Sequence, residues 1–492
     1  VDIVPNEQLF PHTHRCRKII ARTAAFLLLA GVTFLSMRGR IGNGVPLSIA
    51  DAEWYIREAS QINAVLNSPF CIVRSLNKHN EIEPLVFFSD DELAEIRSSL
   101  HKRKAGQLTG KNIMVITIES GGSVWFDSLC RIPNNDIAGC TPFLDSLISK
   151  SLSCRHTVAT GIRSVEGITA IYGGFPMFTP FIYMLSPYNR NMLDAPARLL
   201  KNEGYSTIFY FGCNHGSFHI DQTAHASGFS RIIDREMYGN DSEFDGHWGI
   251  FDHAMGEYAA EDLSTIREPF FAGWFTLNAH NPFTKPEHWH PDGYLHPEAS
   301  AQRGMEYTDR ALRHFFEIAK RQKWYNNTIF IITADHGNRD LKNTPYDTPY
   351  IKYLIPFILY TPDGSIEPGH IDDRMMTQFD IAPTILGLVN YPHDYIALGT
   401  DLFDTQTERY AIGFTDNQYR VTGLRYVVLL SSDATTVQSV FDIAADPFMT
   451  SPTNEFDHEE VRKMVHWAQA FLQDYTQRII NDQLTIQHEH TI

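Results

Sequence analysis

Two carboxylates and an imidazole close two apolar runs that lie more than two hundred residues apart. Ile113 to Ile118 is apolar or β-branched throughout and runs into Glu119, with Gly121 and Gly122 close behind. Thr328 to Ala334 runs into Asp335-His336-Gly337. Either acid alone reads equally well as a polar residue ending a strand. Together they form a mixed oxygen and nitrogen set suited to Mn2+, Zn2+ or Mg2+. A metal site of this kind needs a hydroxyl to activate, and Ser164 is the best placed. It follows Gly161-Ile162-Arg163 and opens a helical pattern, whose first amides would suit a phosphoryl group. The same position also describes a plain N-cap serine. Ser120 and Ser123 are rival hydroxyls, and Arg163 can pair either with phosphate oxygens or with Glu166.

Only a fold can unite residues so far apart. Short unbroken apolar runs followed by Gly read as buried strands of a parallel sheet, and ligands collect at the carboxyl ends of such strands. Further strands are expected at Ser206 to Phe211, Pro269 to Leu277 (ending near His280) and Ile355 to Tyr360. Helical patterns alternate with them at Val165 to Gly173, Ala195 to Asn202, Tyr307 to Gln322 and Phe379 to Leu388. This alternation predicts an α/β fold with a doubly wound, mostly parallel sheet over residues 106–405. The tail, 406–492, reads as a small antiparallel sheet (Tyr410 to Phe414, Gln418 to Leu424, Arg425 to Leu430) under a long amphipathic helix, Glu459 to Ile480.

The N-terminal part has a different character. Ile19 to Met37 is apolar apart from Arg22 and a few small polar residues, and with that arginine reaching to an interface it predicts a membrane helix within 1–43. Residues 44–105 read as a helical connector, with a pattern from Ala50 to Leu76 and an acidic piece near Asp90 to Leu100. Val1 fits a processed chain or a piece of a longer one.

Composition narrows the function. The 492 residues are 43% hydrophobic and 20% charged, an ordinary globular balance. The formal net charge of −17, without a basic block, argues against nucleic acid as a partner. An acidic protein that handles an anionic substrate needs a local positive centre, which a metal supplies. Six cysteines are too few for a disulfide scaffold. Cys130 and Cys140 flank a short loop and fit either a pair or two free thiols.

In order, I-T-I-E-S, T-P-F-L-D-S-L, A-T-G-I-R-S-V-E-G-I, H-W-G-I-F-D, L-N-A-H-N-P-F, T-A-D-H-G-N and Q-F-D-I-A-P-T resemble the lipoteichoic acid synthase and phosphoglycerol transferase family, of the alkaline phosphatase and sulfatase superfamily. The resemblance implies one divalent metal ion, Mn2+ by expectation and Mg2+ or Zn2+ as alternatives, held by Glu119, Ser164, Asp335 and His336. It implies Ser164 as the nucleophile, where the family usually has Thr, and His280 on the phosphate or glycerol of the substrate. Arg163, His215 and Asp221 are further substrate-binding candidates, because a Trp-x-Arg pair found in some members is replaced near Phe218 to Asp221 by His215, His219 and Asp221. Cys154-Arg155-His156-Thr157 does not supply the C-x-P-S-R type of motif that a sulfate-ester hydrolase needs. The implied activity is transfer of phosphoglycerol from phosphatidylglycerol, through a covalent glycerophospho-Ser164, to a lipid or glycan hydroxyl. It places the catalytic domain outside a bacterial cytoplasmic membrane, with the segment at 19–37 as the last of several membrane helices. Phosphoethanolamine transfer, phosphodiester hydrolysis and a non-catalytic membrane-anchored binding role are the alternatives.

Overall fold

The computed structural model describes residues 11–38, 81–103, 106–133, 135, 137–179, 182–289, 298–337 and 339–486. Its centre is an eight-stranded mixed sheet. In chain order the strands are β1 (Asn112–Ile118), β2 (Leu152–Cys154), β3 (Ser206–Phe211), β4 (Arg231–Ile233), β5 (Phe270–Phe275), β6 (Thr328–Ala334), β7 (Phe357–Tyr360) and β8 (Gly369–Ile371). Across the sheet they lie in the order β8-β2-β7-β6-β1-β5-β3-β4. Adjacent strands are parallel except that β7 runs against both β6 and β2. The mostly parallel α/β sheet expected from the sequence is therefore present. The short strands β2, β4 and β8 were not foreseen: three residues each are too few to show a pattern.

Every residue of β1 and β6 is buried, because helices cover both faces of the sheet. On one face α3 (Asp252–Asp262) and α4 (Ala301–Ala319) pack together, with Trp274, Phe315, Phe316 and Phe330 in the same cluster. On the other, α5 (Ile381–Leu388) and the helix Pro196–Asn202 close over Ile113, Val115, Phe209 and Ile331. Between these, α2 (Ser164–Ile168) passes into a π-helical turn at Thr169–Gly173.

A second sheet forms an antiparallel meander of β9 (Ala411–Thr415), β10 (Gln418–Thr422), β11 (Tyr426–Ser431) and β12 (Val437–Asp442). Its first turn is Asp416-Asn417, both with positive φ (49° and 62°), the two-residue hairpin geometry that Asp and Asn tolerate. Val461, Met464, Ala468, Phe471, Tyr475 and Ile479 repeat every three or four residues along α6 (Glu459–Ile480) and bury one face against this sheet. Arg420 of β10 is fully buried, donates to Ala159 O at 2.7 Å and lies over the Tyr353 ring at 3.5 Å. Burial pushes its pKa down to about 10. The second sheet is thereby fastened beneath the segment that leads to Ser164.

The N-terminal expectations fare less evenly. A helix, α1 (Pro11–Arg38), forms where one was expected. No helix among the described residues is long and apolar enough to cross a membrane, so the expected spanning segment is not borne out. Thr23 to Met37 alone is fifteen uncharged residues, about 22 Å of helix against a hydrocarbon core of about 30 Å, and the expectation rested on adding Ile19 and Ile20 across the charge of Arg22. The connector pattern at Ala50 to Leu76 lies outside the described residues. The acidic piece forms a helix, Asp90–Ile96, capped by Ser89. Beside it the amides of Phe87 and Phe88 bond Gln473 Oε1 (2.7 and 2.9 Å), clasping α6. Cys130 and Cys140 are free thiols.

One buried side chain joins the two halves of the central region. Gln378 accepts from the Thr160 amide at 3.0 Å and donates to the Ala334 and Asp335 carbonyls at 2.9 and 2.5 Å. Gln378→Leu would keep the volume but strip partners from all three buried backbone groups. We expect the unfolding free energy to fall by on the order of 3 kcal/mol, read as a lower urea midpoint at unchanged slope.

Candidate active site

The site begins with strand register. β1 and β6 pair in parallel from Asn112↔Thr328 to Ile118↔Ala334, so the next residues, Glu119 and Asp335, emerge side by side. Both are buried, 3% and 0% exposed. Ser120, with φ 54°, turns the chain so that its amide donates to Asp335 Oδ1 at 2.8 Å, and the His336 amide bonds the same oxygen at 2.7 Å. Asp335 Oδ2 is left buried without a hydrogen bond. His336 pairs Nδ1 with Gly337 O at 2.6 Å, which makes Nδ1 the protonated nitrogen and leaves Nε2 a lone pair. That Nε2 lies 3.4 Å from Asp335 Oδ2 and 3.5 Å from Glu119 Oε1.

Ser164 completes the cluster. Its Oγ donates to Glu119 Oε2 at 3.1 Å and lies 3.5 Å from His336 Nε2. One potential ligand atom from each of Glu119, Asp335 and His336 lies within 4.8 Å of the others. Burial raises the pKa of both carboxyl groups above the usual carboxylate range, and for Glu119 the nearby Asp335 charge adds to it. Converging acceptors, an imidazole lone pair and an orphaned carboxylate oxygen fit a divalent cation. The rival serines are placed differently. Ser120 Oγ donates to Glu119 Oε1 at 2.7 Å, and Ser123 is buried where its amide bonds Leu354 O.

The A-T-G-I-R-S-V-E-G-I run is explained by how it delivers Ser164. Glu166 Oε2 accepts from the amides of Ile162 (2.8 Å) and Arg163 (2.9 Å), while Oε1 holds the Arg163 guanidinium at 2.6–2.7 Å. A Cβ on Gly167 would sit 1.8 Å from Asp335 O, so glycine is what lets α2 rest directly on the end of β6. The Glu166 and Gly167 amides turn back to Arg163 O, leaving at most those of Ser164 and Val165 for an anion. Of the two roles open to Arg163, pairing with Glu166 is the one observed.

Ser164 faces a cavity of about 240 Å³ that Glu119, Arg163, Trp248, His280 and Arg339 also line. His280 bonds Asn281 O through Nδ1 at 2.7 Å and stands edge-on to Trp248, ring centroids 4.6 Å apart. Trp248 is held by Asp245, whose Oδ1 accepts the His247, Trp248 and Gly249 amides. Asp252 accepts from the Leu277 and Asn278 amides at the base of the His280 turn, and burial pushes its pKa up to about 7.

His215 and Asp221 are not among the residues lining this cavity. His215 Nδ1 lies 3.3 Å from both Asp221 Oδ2 and Asp234 Oδ2, and Asp221 also accepts the Gly216 and Gln222 amides. These contacts describe a loop brace; His219 likewise bonds Gln222. Sequence reasoning passed over Arg339, three residues beyond His336, and Trp248, although the H-W-G-I-F-D run was in view. The spacing from Asp335-His336 was the available signal for Arg339.

Asp335→Asn keeps the shape of the site but removes the charge facing His336. Bound divalent metal per chain, measured by elemental analysis after titration, should show affinity weakened by more than about tenfold.

The sequence model of the family described as Sulfatase matches residues 111–391, more than half of the chain. "Lipoteichoic acid synthase-like YvgJ" of Bacillus subtilis is 23% identical over 389 residues, 72% of this chain and 61% of that protein; the chain thus spans about three-fifths of that relative's length. Among solved structures, an alkaline phosphatase superfamily protein from Vibrio parahaemolyticus aligns at TM-score 0.69 and 24% identity, covering 82% of this chain and 98% of that one. The lipoteichoic acid synthase LtaP from Listeria monocytogenes aligns at 0.64 and 17%, covering 80% and 99%. These likenesses bear out the resemblance read from the motifs: the chain belongs to the sulfatase family and is similar to the lipoteichoic acid synthases.

Proposed function

We propose that this chain is a metal-dependent phosphoglycerol transferase with phosphatidylglycerol as donor and Ser164 as nucleophile. The observation that carries the reading is the Ser164 hydroxyl, 3.1 Å from buried Glu119, at the end of a cavity that also holds Arg163, His280 and Arg339. The similarity to lipoteichoic acid synthases supports the head group. Held by Glu119, Asp335 and His336 beside Ser164, a divalent ion, Mn2+ by expectation, supplies Lewis-acid activation of the hydroxyl and offsets phosphoryl charge.

Ser164 Oγ passes its proton to Glu119 Oε2, to which it already donates, and forms a bond to the donor phosphorus while the P–O bond to diacylglycerol breaks. The departing oxygen takes a proton from protonated His280 Nε2, since Nδ1 is committed to Asn281 O. An acceptor hydroxyl on a lipid or glycan then attacks the same phosphorus and gives its proton to the now neutral Nε2, while Ser164 Oγ is released and recovers its proton from Glu119. Arg339 and Arg163 face the phosphoryl oxygens in an otherwise acidic chain, Arg339 as an exposed guanidinium and Arg163 steadied by Glu166. Trp248 packs beside the glycerol.

The substrate also suggests where the protein works. The exposed apolar side chains Phe26, Leu27, Leu28 and Leu29 of α1 match a bilayer boundary, where a two-chain lipid resides.

Two variants test the reading. Ser164→Ala should lower turnover by on the order of 10³-fold or more while metal stays bound, and should abolish the glycerophosphate adduct on the Ser164 peptide seen by mass spectrometry after incubation with phosphatidylglycerol. Arg339→Ala should keep the adduct but lower kcat/KM about ten- to hundredfold. An unmodified wild-type chain with metal bound and lipid intact would overturn the donor assignment.

A further inference from the structure

A second set of metal-ligating groups stands apart from the catalytic cluster. It lies where the turn Asp241–Glu243, the first turn of α3 and the segment around His288 meet. Glu243 Oε1 is 3.1 Å from His288 Nε2, and Glu243 Oε2 is 3.5 Å from His253 Nε2. One ligand atom from each residue lies within 4.8 Å of the others. Ligands bound tetrahedrally at zinc distances stand about 3.3 Å apart, so these separations need little adjustment to surround an ion.

Two further observations separate this cluster from an ordinary surface pairing. Glu243 Oε2 is shut off from solvent and makes no hydrogen bond. His253 is only 5% exposed; its Nδ1 lies 2.8 Å from the Tyr307 hydroxyl, and its ring stacks on Trp289 with centroids 4.5 Å apart. An imidazole whose far nitrogen is engaged, and whose plane is fixed by packing, directs the other nitrogen at one point; histidines that hold metals are oriented in this way. A simple His288–Glu243 hydrogen bond would satisfy Oε1 and leave Oε2 stranded, whereas a cation between the three groups satisfies both oxygens.

We propose that Glu243, His253 and His288 form a second metal site that takes a zinc-like divalent transition metal, with the fourth position open to solvent on the exposed His288 side. Two imidazoles and one carboxylate favour such an ion over Ca2+ or Mg2+, which prefer all-oxygen shells. The site braces the cavity mouth. Glu243 is two residues before Asp245, which holds Trp248, and His253 follows Asp252, which holds the base of the His280 turn.

The test uses the full chain carrying Glu119→Gln and Asp335→Asn, so that the catalytic cluster no longer competes. Zinc added against a competing chelator should bind at one ion per chain, and cobalt should give the visible absorption of a four-coordinate ion. Adding His288→Ala, an exposed position whose loss opens no core, should weaken zinc at least about tenfold and remove the cobalt bands. Glu243→Gln should do the same, with circular dichroism confirming that each variant is folded. Absence of zinc from the Glu119→Gln/Asp335→Asn chain, or equal zinc affinity with and without His288→Ala and Glu243→Gln, would overturn the assignment.

Discussion

Two like charges forced together by strand register are the constraint on which this molecule is built. Parallel pairing of Asn112–Ile118 with Thr328–Ala334 leaves no freedom in where Glu119 and Asp335 appear. Both are buried, and ionised carboxylates at such a place repel one another unless something positive or a set of donors intervenes. The surroundings answer only part of that need. Asp335 Oδ1 takes two amides and Glu119 takes two hydroxyls, yet Asp335 Oδ2 has no hydrogen bond. The remaining deficit is what fits the site to a cation, and the left-handed Ser120, the tight Gly167 contact and the Gln378 amide hold that deficit in place.

The rest of the cavity is organised around charge of the opposite sense. A chain with a formal charge of −17 does not draw anionic lipids to itself at long range. Arg163 and Arg339 at the cavity therefore matter more than two arginines would elsewhere, and Glu166 fixes one of them without removing it from the wall. The aromatic side, Trp248 and Phe218, stands with ring centroids 5.3 Å apart and gives the cavity an apolar wall.

Much of this was legible in the sequence because buried parallel strands write themselves as apolar runs, and their ends are where acids become conspicuous. Glu119, Asp335 and His336 were found that way, and Ser164 by its place at a helix start. Loops were harder to read. His215 and Asp221 sit in a chemically suggestive stretch, but a buried acid among loop amides is as useful for holding a turn as for holding a substrate. Glu243, His253 and His288 escaped notice because no single element carries them; only the packing of a turn against a helix start and a loop brings them together. The expected membrane span at Ile19 to Met37, which needed Arg22 to reach an interface, is not supported, since no helix among the described residues is long and apolar enough to cross a membrane.

The buried Arg420 makes one part of the site depend on a region that holds none of its residues. Its guanidinium lies under Ala159, five residues before Ser164 yet more than 250 residues away along the chain. The segment that delivers Ser164 therefore rests on the second sheet, whereas Glu119 and Asp335 are placed by the central one. Loosening the second sheet would unsettle the hydroxyl and leave the two acids where they are, so the parts of one site answer to two different cores.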